Sequence, residues 1–188
     1  MSMVDQTIRI PRLSPKLEVR LLALYRGVND SGPFTCLQAS RQPIYRRTPF
    51  EQLPGALEYN AMLFRYTALL ADAVGGVDAF ASPPSDHPLQ AEPYRRAIAN
   101  KQPNAPDITT RFTRRGEARA ASGATFDAIV GGLDYTAYGR ERDWRRVAII
   151  DDVFRSGVTA AATVTHMRKR GLRSDCEVIV ACPLWLDR

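Results

Sequence analysis

The sequence predicts one α/β domain with a mainly parallel, twisted sheet flanked by helices. Its length of 188 residues and its apolar content of 45% suit a single globular core. Two short apolar runs, residues 147–150 and 177–182, are typical of strands covered on both faces. An amphipathic stretch lies between them, and a strand, helix, strand order of this kind requires a crossover and parallel pairing.

The amino-terminal third is expected to differ from the rest. Residues 1–55 are interpreted as an irregular extension or hood on a core of residues 56–188, although LEVRLLALYR (17–26) can form a strand. From Leu57 to Val74, apolar residues recur every three or four positions, which predicts a helix. VDAFA (77–81) is then expected to be a short buried strand.

The middle of the chain gives weaker signals. Residues 83–116 hold six prolines and few large apolar side chains, which favours a mobile excursion over a packed element. A helical piece is expected near residues 117–121 and a short element near 126–130. A helix from Thr159 ends in a basic turn, and EVIVAC (177–182) is the last predicted strand.

Charge and cysteine content limit the possible partners and compartments. The net charge of +6 favours an anionic partner, and the alternatives are nucleic acid, which is not the favoured one, a phosphorylated small molecule, or no specific partner. The three cysteines lack Cys-x-x-Cys spacing, so reduced thiols in a cytoplasmic protein are expected. No apolar run is long enough to span a bilayer and the first residues lack the pattern of a signal peptide, so no membrane association is expected.

Two adjacent carboxylates, Asp151 and Asp152, directly follow the VAII strand. In open α/β sheets, ligands bind beyond the carboxyl ends of the strands. The next residues, FRSGVT (154–159), form a turn at a helix amino terminus, where unpaired N–H groups and the helix dipole favour an anion. Oxygen acceptors followed by an anion cradle fit a ligand with hydroxyls and a phosphate, such as a ribose 5-phosphate.

Other kinds of acidic site were compared with this pattern. An acidic pair at a strand end is often only a solvated helix cap, but the strand, the pair and Ser-Gly-x-Thr in fixed order argue against that alternative. The chain has no Gly-x-x-x-x-Gly-Lys-Ser/Thr loop and no Gly-x-Gly-x-x-Gly loop. A phosphoacceptor receiver places its acidic pair after its first strand, whereas only 36 residues follow Asp152.

VAIIDDVFRSGVT (147–159) resembles the phosphoribosyl pyrophosphate (PRPP) loop of type I phosphoribosyltransferases. The resemblance implies that Asp151 and Asp152 are catalytic residues that hold the ribose hydroxyls. It implies that the 5-phosphate is bound by the turn that follows, Arg155, Ser156, Gly157, Val158 and Thr159. Arg155 departs from the family pattern, which usually has Thr or Ser there.

The family has a second loop, which binds pyrophosphate. By order along the chain, its counterpart here is Ser82, Pro83, Pro84 and Ser85, and the proline pair resembles the small competence-type phosphoribosyltransferases. A rigid turn without a ligand is the alternative. The excursion that follows carries cations that suit a pyrophosphate leaving group, namely Arg95, Arg96, Lys101, Arg111, Arg114 and Arg115.

The resemblance implies transfer of a 5-phosphoribosyl group from PRPP to a nitrogenous acceptor, a base or amine, in nucleotide metabolism. Magnesium is the implied cofactor, held mainly through PRPP and not by direct protein ligands, and a homodimer is the implied assembly. Arg155 and the basic composition keep an alternative open, a catalytically silent PRPP-sensing regulator that binds nucleic acid. Aromatic residues that could stack on an acceptor are Phe112, Tyr135, Tyr138 and Trp185, with core packing as the alternative role.

Overall fold

The computed structural model describes residues 3–10, 17–27, 44, 48–49, 52–84, 91–116 and 124–186, without the side chains of residues 58–66. Four α-helices are present in these ranges: α1 (Ala56–Val74), α2 (Glu92–Lys101), α3 (Phe126–Gly131) and α4 (Val158–Lys169). The strands are β1 (Val4–Ile10), β2 (Leu17–Gly27), β3 (Ala79–Ala81), β4 (Phe112–Arg114), β5 (Leu133–Tyr135), β6 (Arg146–Ile150), β7 (Val153–Phe154) and β8 (Glu177–Leu186).

The main sheet has the strand order β1-β2-β8-β6-β3, and β7 continues the line of β6 beside β8. Only the β1–β2 pair is antiparallel; β2, β8, β6, β7 and β3 run in the same direction. β4 and β5 form a separate antiparallel hairpin. The mainly parallel α/β architecture predicted from the sequence is confirmed at this level.

Helices cover both faces of the sheet, because the strands are apolar on both sides. One core cluster contains buried residues of α1 and α2, and it packs on Phe80, Ala148 and Ile150. The other contains α3, α4 and the β4–β5 hairpin, and it packs on Val147 and Ile149. The alternation of consecutive residues in β6 between the two clusters reflects the period of two in a strand.

Two expectations about organisation differ from the structure. Residues 4–10 and 17–27, within the expected irregular extension, form β1 and β2 of the main sheet. Residues 92–101, within the expected mobile excursion, form helix α2, which packs against α1. Tyr94 and Ile98 are the only two residues of that helix whose side chains are buried, so its apolar pattern is sparse.

Other element predictions agree with the structure. The helix expected over 57–74 is α1, the helix from Thr159 is α4, and the short element near 126–130 is α3. The last strand was predicted to end at Cys182, but β8 continues through Pro183 to Leu186. The expected helical piece at 117–121 lies outside the described residues. Among the helices that are described, none is both long and apolar enough to cross a membrane.

Candidate functional site

Asp151 and Asp152 lie where β6 stops and before β7 begins, at the carboxyl end of a central strand. The Asp151 N–H still donates to the Ala181 carbonyl of β8 at 3.0 Å. Beyond it, side-chain carboxylates accept the next two backbone N–H groups. The Asp152 N–H donates to Asp151 Oδ1 at 2.9 Å, and the Val153 N–H donates to Asp152 Oδ1 at 2.8 Å. Each carboxylate therefore holds the backbone of the residue after it.

A proline of β8 lies opposite this break. Ile150 pairs with Ala181 and Val153 pairs with Leu184, so the register places Pro183 opposite Asp152. Ala181 still accepts a hydrogen bond from β6 through its carbonyl, and Pro183 lies two residues further along β8. Proline has no backbone N–H to donate, and the paired register of β8 is interrupted at that level.

The pleat also changes at this level in three neighbouring strands. The core cluster on the α1 side contains residues that are three apart in β6–β7 and in β8. It also contains consecutive residues of β2. A strict alternation would separate them between the two faces, so the strands bend together as at a bulge. The pairs concerned are Ile150 and Val153, Ala181 and Leu184, and Leu24 and Tyr25.

The turn after β7 depends on glycine. Gly157 has φ 71° and ψ 5° and precedes the first residue of α4. A Cβ placed on it would lie 2.6 Å from Cδ1 of Ile10 and 3.0 Å from Cζ of Phe154. Both the left-handed backbone and the close packing exclude a side chain there.

The amino terminus of α4 follows this glycine without a side-chain cap. The N–H groups of the first helical turn have no acceptor within the helix, and they lie at the positive end of its dipole. Ser156 and Thr159, both half-buried, place hydroxyls beside these N–H groups. The segment 155–159 thus has the donors expected of an anion-binding turn, and two residues separate it from the acidic pair along the chain.

The two carboxyls affect each other electrostatically. Burial and the adjacent Asp152 carboxylate raise the pKa of Asp151 well above its usual range, and the nearby Arg114 guanidinium partly offsets that increase. A carboxyl in this state gains from any ligand that supplies a cation or hydroxyl donors, because these groups stabilise its ionised form. Raised pKa values of this kind are common where a protein binds or transforms a ligand.

The loop after β3 lies on the same side of the molecule. Ser82 is 6% exposed, its N–H donates to Thr109 Oγ1 at 2.9 Å, and its own Oγ is buried with no hydrogen-bond partner among the described residues. Buried hydroxyls are normally satisfied, so this atom is a candidate ligand contact. Pro83 and Pro84 continue the loop, whereas Ser85 lies outside the described residues.

Arg114 connects this loop to the acidic pair. It ends strand β4, its guanidinium donates to the Pro84 carbonyl, and its charge acts on the Asp151 carboxyl. The structure therefore brings together Asp151, Asp152, Ser82, Pro84 and Arg114 from three separate parts of the chain. The remaining predicted residue of the turn, Arg155, is half-buried, and its Nε lies below the surface.

Most of the other cations in the expected basic excursion serve ion pairs elsewhere. Arg95 pairs with Asp107, Arg96 with Glu92, Lys101 with Asp72 and Arg115 with Asp134. Arg111 lies over the Tyr138 ring, with Cζ 5.7 Å from the centroid. Of the six cations, Arg114 is the one shown to act on the acidic pair.

The aromatic residues predicted as possible contacts of an acceptor include both buried and exposed side chains. Phe112 and Tyr135 are buried and stacked on each other with centroids 4.4 Å apart, so they act as core. Tyr138 is 40% exposed. Trp185 was expected just past the last strand but lies within β8, with the Arg26 guanidinium 4.1 Å above its ring and Phe154 at its edge.

Sequence reasoning missed Pro183 and Thr109 and did not separate Arg114 from the other cations. The proline could have been found, because an apolar run continues on both sides of it (VIVACPLWL). Arg114 and Thr109 reach the site only through the hairpin and the 3₁₀ turn Thr109–Arg111, which no local pattern predicts.

The acidic pair could also contribute to a metal site. No group of three or more His, Cys, Asp or Glu side chains with the geometry to hold an ion is found in the described part of the chain. Mg²⁺ commonly takes one or two protein carboxylates and completes its shell with water and substrate phosphates. The acidic pair fits that partial role.

Comparison with known proteins gives no family assignment. No protein-family model matches the chain, and no curated protein sequence matches it significantly.

Proposed function

We propose that this chain is a phosphoribosyltransferase that transfers the 5-phosphoribosyl group of PRPP to a nitrogen nucleophile, with Mg²⁺ as cofactor. One observation carries the proposal. Two carboxylates lie where strand β6 ends, at the carboxyl edge of a parallel sheet, and each accepts the N–H of the residue after it. A glycine turn and an uncapped helix amino terminus follow them. This order matches the sequence of groups in a ribose 5-phosphate, hydroxyls first and phosphate next.

In the proposed complex, the acidic pair accepts hydrogen bonds from the ribose hydroxyls, and the 155–159 turn donates to the 5-phosphate. The Ser82–Pro84 loop and Arg114 contact the pyrophosphate group. Arg114 supplies positive charge there, and the buried Ser82 hydroxyl supplies a donor. Magnesium would bind chiefly to PRPP oxygens, and it would stabilise the charge on the leaving group.

The proposed reaction exchanges two bonds at ribose C1. The C1–O bond to pyrophosphate breaks with both electrons leaving on oxygen, and the nucleophile's lone pair forms the C1–N bond. The nitrogen then loses a proton to water. Positive charge develops on the sugar between these events, and the Asp151 and Asp152 carboxylates stabilise it electrostatically.

Isothermal titration calorimetry with PRPP and Mg²⁺ tests the binding step. We expect saturable binding below about 1 mM and a loss of about tenfold or more for Asp151→Asn with Asp152→Asn, because charge-assisted hydrogen bonds are removed. The matched control is Asp127→Asn with Asp143→Asn, which removes the same charge from exposed positions. Absence of wild-type binding, or equal losses in both variants, would contradict the proposal.

A second candidate, a PRPP-binding regulator without turnover, is favoured by Arg155. Its side chain is half-buried, with Nε below the surface, at the turn proposed to bind the phosphate. A screen of purines, pyrimidines and small amines for PRPP-dependent pyrophosphate release separates the two. Release with any acceptor supports the transferase, whereas binding without release across the screen supports the regulator.

A further inference from the structure

A strongly basic surface lies at the other end of strand β6 from the acidic pair. It combines two segments: the turn that leads into β6, and the end of α4 with the loop that leads into β8. We define this basic face by seven residues, Arg140, Arg142, Arg145, Arg168, Lys169, Arg170 and Arg173. Three exposed carboxylates lie beside them: Asp143, Asp175, and Asp78, which accepts a hydrogen bond from the Arg145 N–H at 2.6 Å.

The two segments are in contact, so the basic face is continuous. A Cβ built on Gly171, just past α4, would lie 3.9 Å from the Arg142 backbone nitrogen. Across the same junction, the Arg145 guanidinium lies 3.7 Å from the Asp175 carboxylate, to which Arg173 also donates two hydrogen bonds. One carboxylate is thus shared between two guanidiniums.

Several of these cations lack local neutralisation. Arg142, Lys169 and Arg170 are exposed, and none of the described carboxylates forms an ion pair with them. The Arg168 guanidinium donates to the Ser174 carbonyl at 3.3 Å, and within the described part of the chain its buried Nε has no hydrogen-bond partner. The basic face thus gathers seven cations against three exposed carboxylates, a local excess of positive charge in a chain whose net charge is +6.

The helix dipole explains only part of this cluster. Cations at a helix carboxyl terminus are stabilised by the dipole, which accounts for Arg168, Lys169 and Arg170. It does not account for Arg140, Arg142 and Arg145, which come from a separate turn. Like charges brought together from two segments repel each other, so their convergence indicates an anionic partner.

We propose that the basic face binds the phosphodiester backbone of nucleic acid. Six of its seven cations are arginines, which bind phosphate with two parallel hydrogen bonds. The large apolar residues within the two segments, Trp144 and Leu172, are each only 4% exposed, so the face offers no apolar anchor for a membrane. This inference is independent of the proposed transferase activity, because it uses none of the same residues.

Fluorescence anisotropy with labelled oligonucleotides of about 20 nucleotides tests the proposal, using single-stranded DNA, duplex DNA and RNA in separate arms. We expect binding that weakens steeply between about 50 and 200 mM salt through counterion release. The variant Arg142→Gln, Lys169→Gln, Arg170→Gln should bind duplex at least about tenfold more weakly and should reduce the salt slope by about 2 to 3.

The control variant Arg96→Gln, Lys101→Gln, Arg115→Gln makes the same change in net charge at exposed positions outside the basic face. It should retain most of the affinity. Equal losses in the two variants would show that only net charge matters and would overturn the proposal. The proposal would also be overturned if the wild-type protein showed no detectable binding to any oligonucleotide at low salt. Binding to phosphatidylserine vesicles but not to oligonucleotides would overturn it as well. PRPP binding by the basic-face variant serves as a folding control where wild-type binding is present, and circular dichroism serves in either case.

Discussion

Pro183 of β8 faces Asp152 across the parallel register, one step before the paired residues Leu184 and Val153. Pro183 has no backbone N–H, and at the same level the Asp151 and Asp152 carboxylates accept hydrogen bonds from the Asp152 and Val153 N–H groups. The acidic pair thus coincides with a break in the pairing of β8 with β6 and β7.

Replacing the proline tests this relationship. Pro183→Val restores a backbone N–H with little change in volume, so we expect the sheet to close toward the acidic pair and PRPP affinity to fall about three- to tenfold. The free energy of unfolding should change by less than about 1.5 kcal/mol, as for volume-conserving core substitutions. Calorimetry and urea denaturation measure the two effects. Unchanged affinity in a folded variant would show that the gap has no such role.

Gly157 should tolerate no side chain. Gly157→Ala places a Cβ against Ile10 and Phe154 and imposes a left-handed backbone on alanine, so we expect a loss of at least about 1 to 2 kcal/mol in unfolding free energy. Urea denaturation is the measurement, and PRPP affinity should fall in the same variant. The control Gly131→Ala has open space around its Cβ and an ordinary backbone, so it should be neutral or slightly stabilising. Similar losses in the two variants would contradict this account.

Asp151 should reduce stability at neutral pH. Because its pKa is raised in the folded state, the native protein binds more protons than the unfolded chain above about pH 4, and stability falls as the pH rises through that window. Asp151→Asn removes the effect and should stabilise the protein by about 1 kcal/mol at pH 7. The gain should shrink toward pH 4 in urea denaturation. A gain that is constant with pH would point to packing instead.

The same shift predicts proton release when ligand binds. A complex of PRPP and Mg²⁺ favours the ionised carboxyl, so binding below the raised pKa should expel a proton from Asp151. Titrations in buffers with different ionisation enthalpies measure that proton. Asp151→Asn should remove it, while Asp143→Asn at an exposed position should not.

Arg114 should matter for PRPP affinity more than its neighbour does. Arg114→Gln removes the cation that lowers the pKa of Asp151 and the donor to the Pro84 carbonyl, so we expect affinity to fall about tenfold. Arg115→Gln, which loses only an exposed ion pair with Asp134, should change it less than about twofold. Calorimetry compares them, and equal effects would remove Arg114 from the site.

Glu141 is a buried carboxylate with a structural role. It is 2% exposed and accepts hydrogen bonds from the Tyr135 hydroxyl at 2.7 Å, from the Gly139 N–H at 2.8 Å and from the Tyr138 N–H. Burial raises its pKa, but the Tyr135 hydroxyl and the backbone donors outweigh burial and lower it overall. Its contribution to stability is therefore present above pH 4.5, its unfolded value, and is lost as the pH falls through its folded pKa.

Removing one donor tests this role. Tyr135→Phe should cost about 1 to 3 kcal/mol in unfolding free energy at pH 7, because a hydrogen bond to a buried charge is lost. The cost should shrink in acid as the carboxyl is protonated. Urea denaturation at pH 7 and at about pH 3 measures both values, and an equal cost at the two pH values would contradict the assignment.

The predictable parts of the fold are those with local patterns. The apolar run 147–150, the glycine at 157 and the helix stripe of α4 are contiguous in sequence, and the structure places each as predicted. Helix α2 was not predicted because only two of its side chains, Tyr94 and Ile98, are buried, and its other residues include a proline and several charges. Ala91, just before the helix, packs into the same cluster. Arg114 could not be singled out because its position depends on the pairing of β4 with β5 and on a loop 30 residues earlier.

The gap in pairing opposite Asp152 contains a proline, which has no backbone N–H, within a strand buried on both faces. Loops around the sheet can therefore change in length or composition without closing it. The same proline, placed opposite an acidic pair in another parallel sheet, offers a compact way to design a carboxylate site that needs no inserted loop.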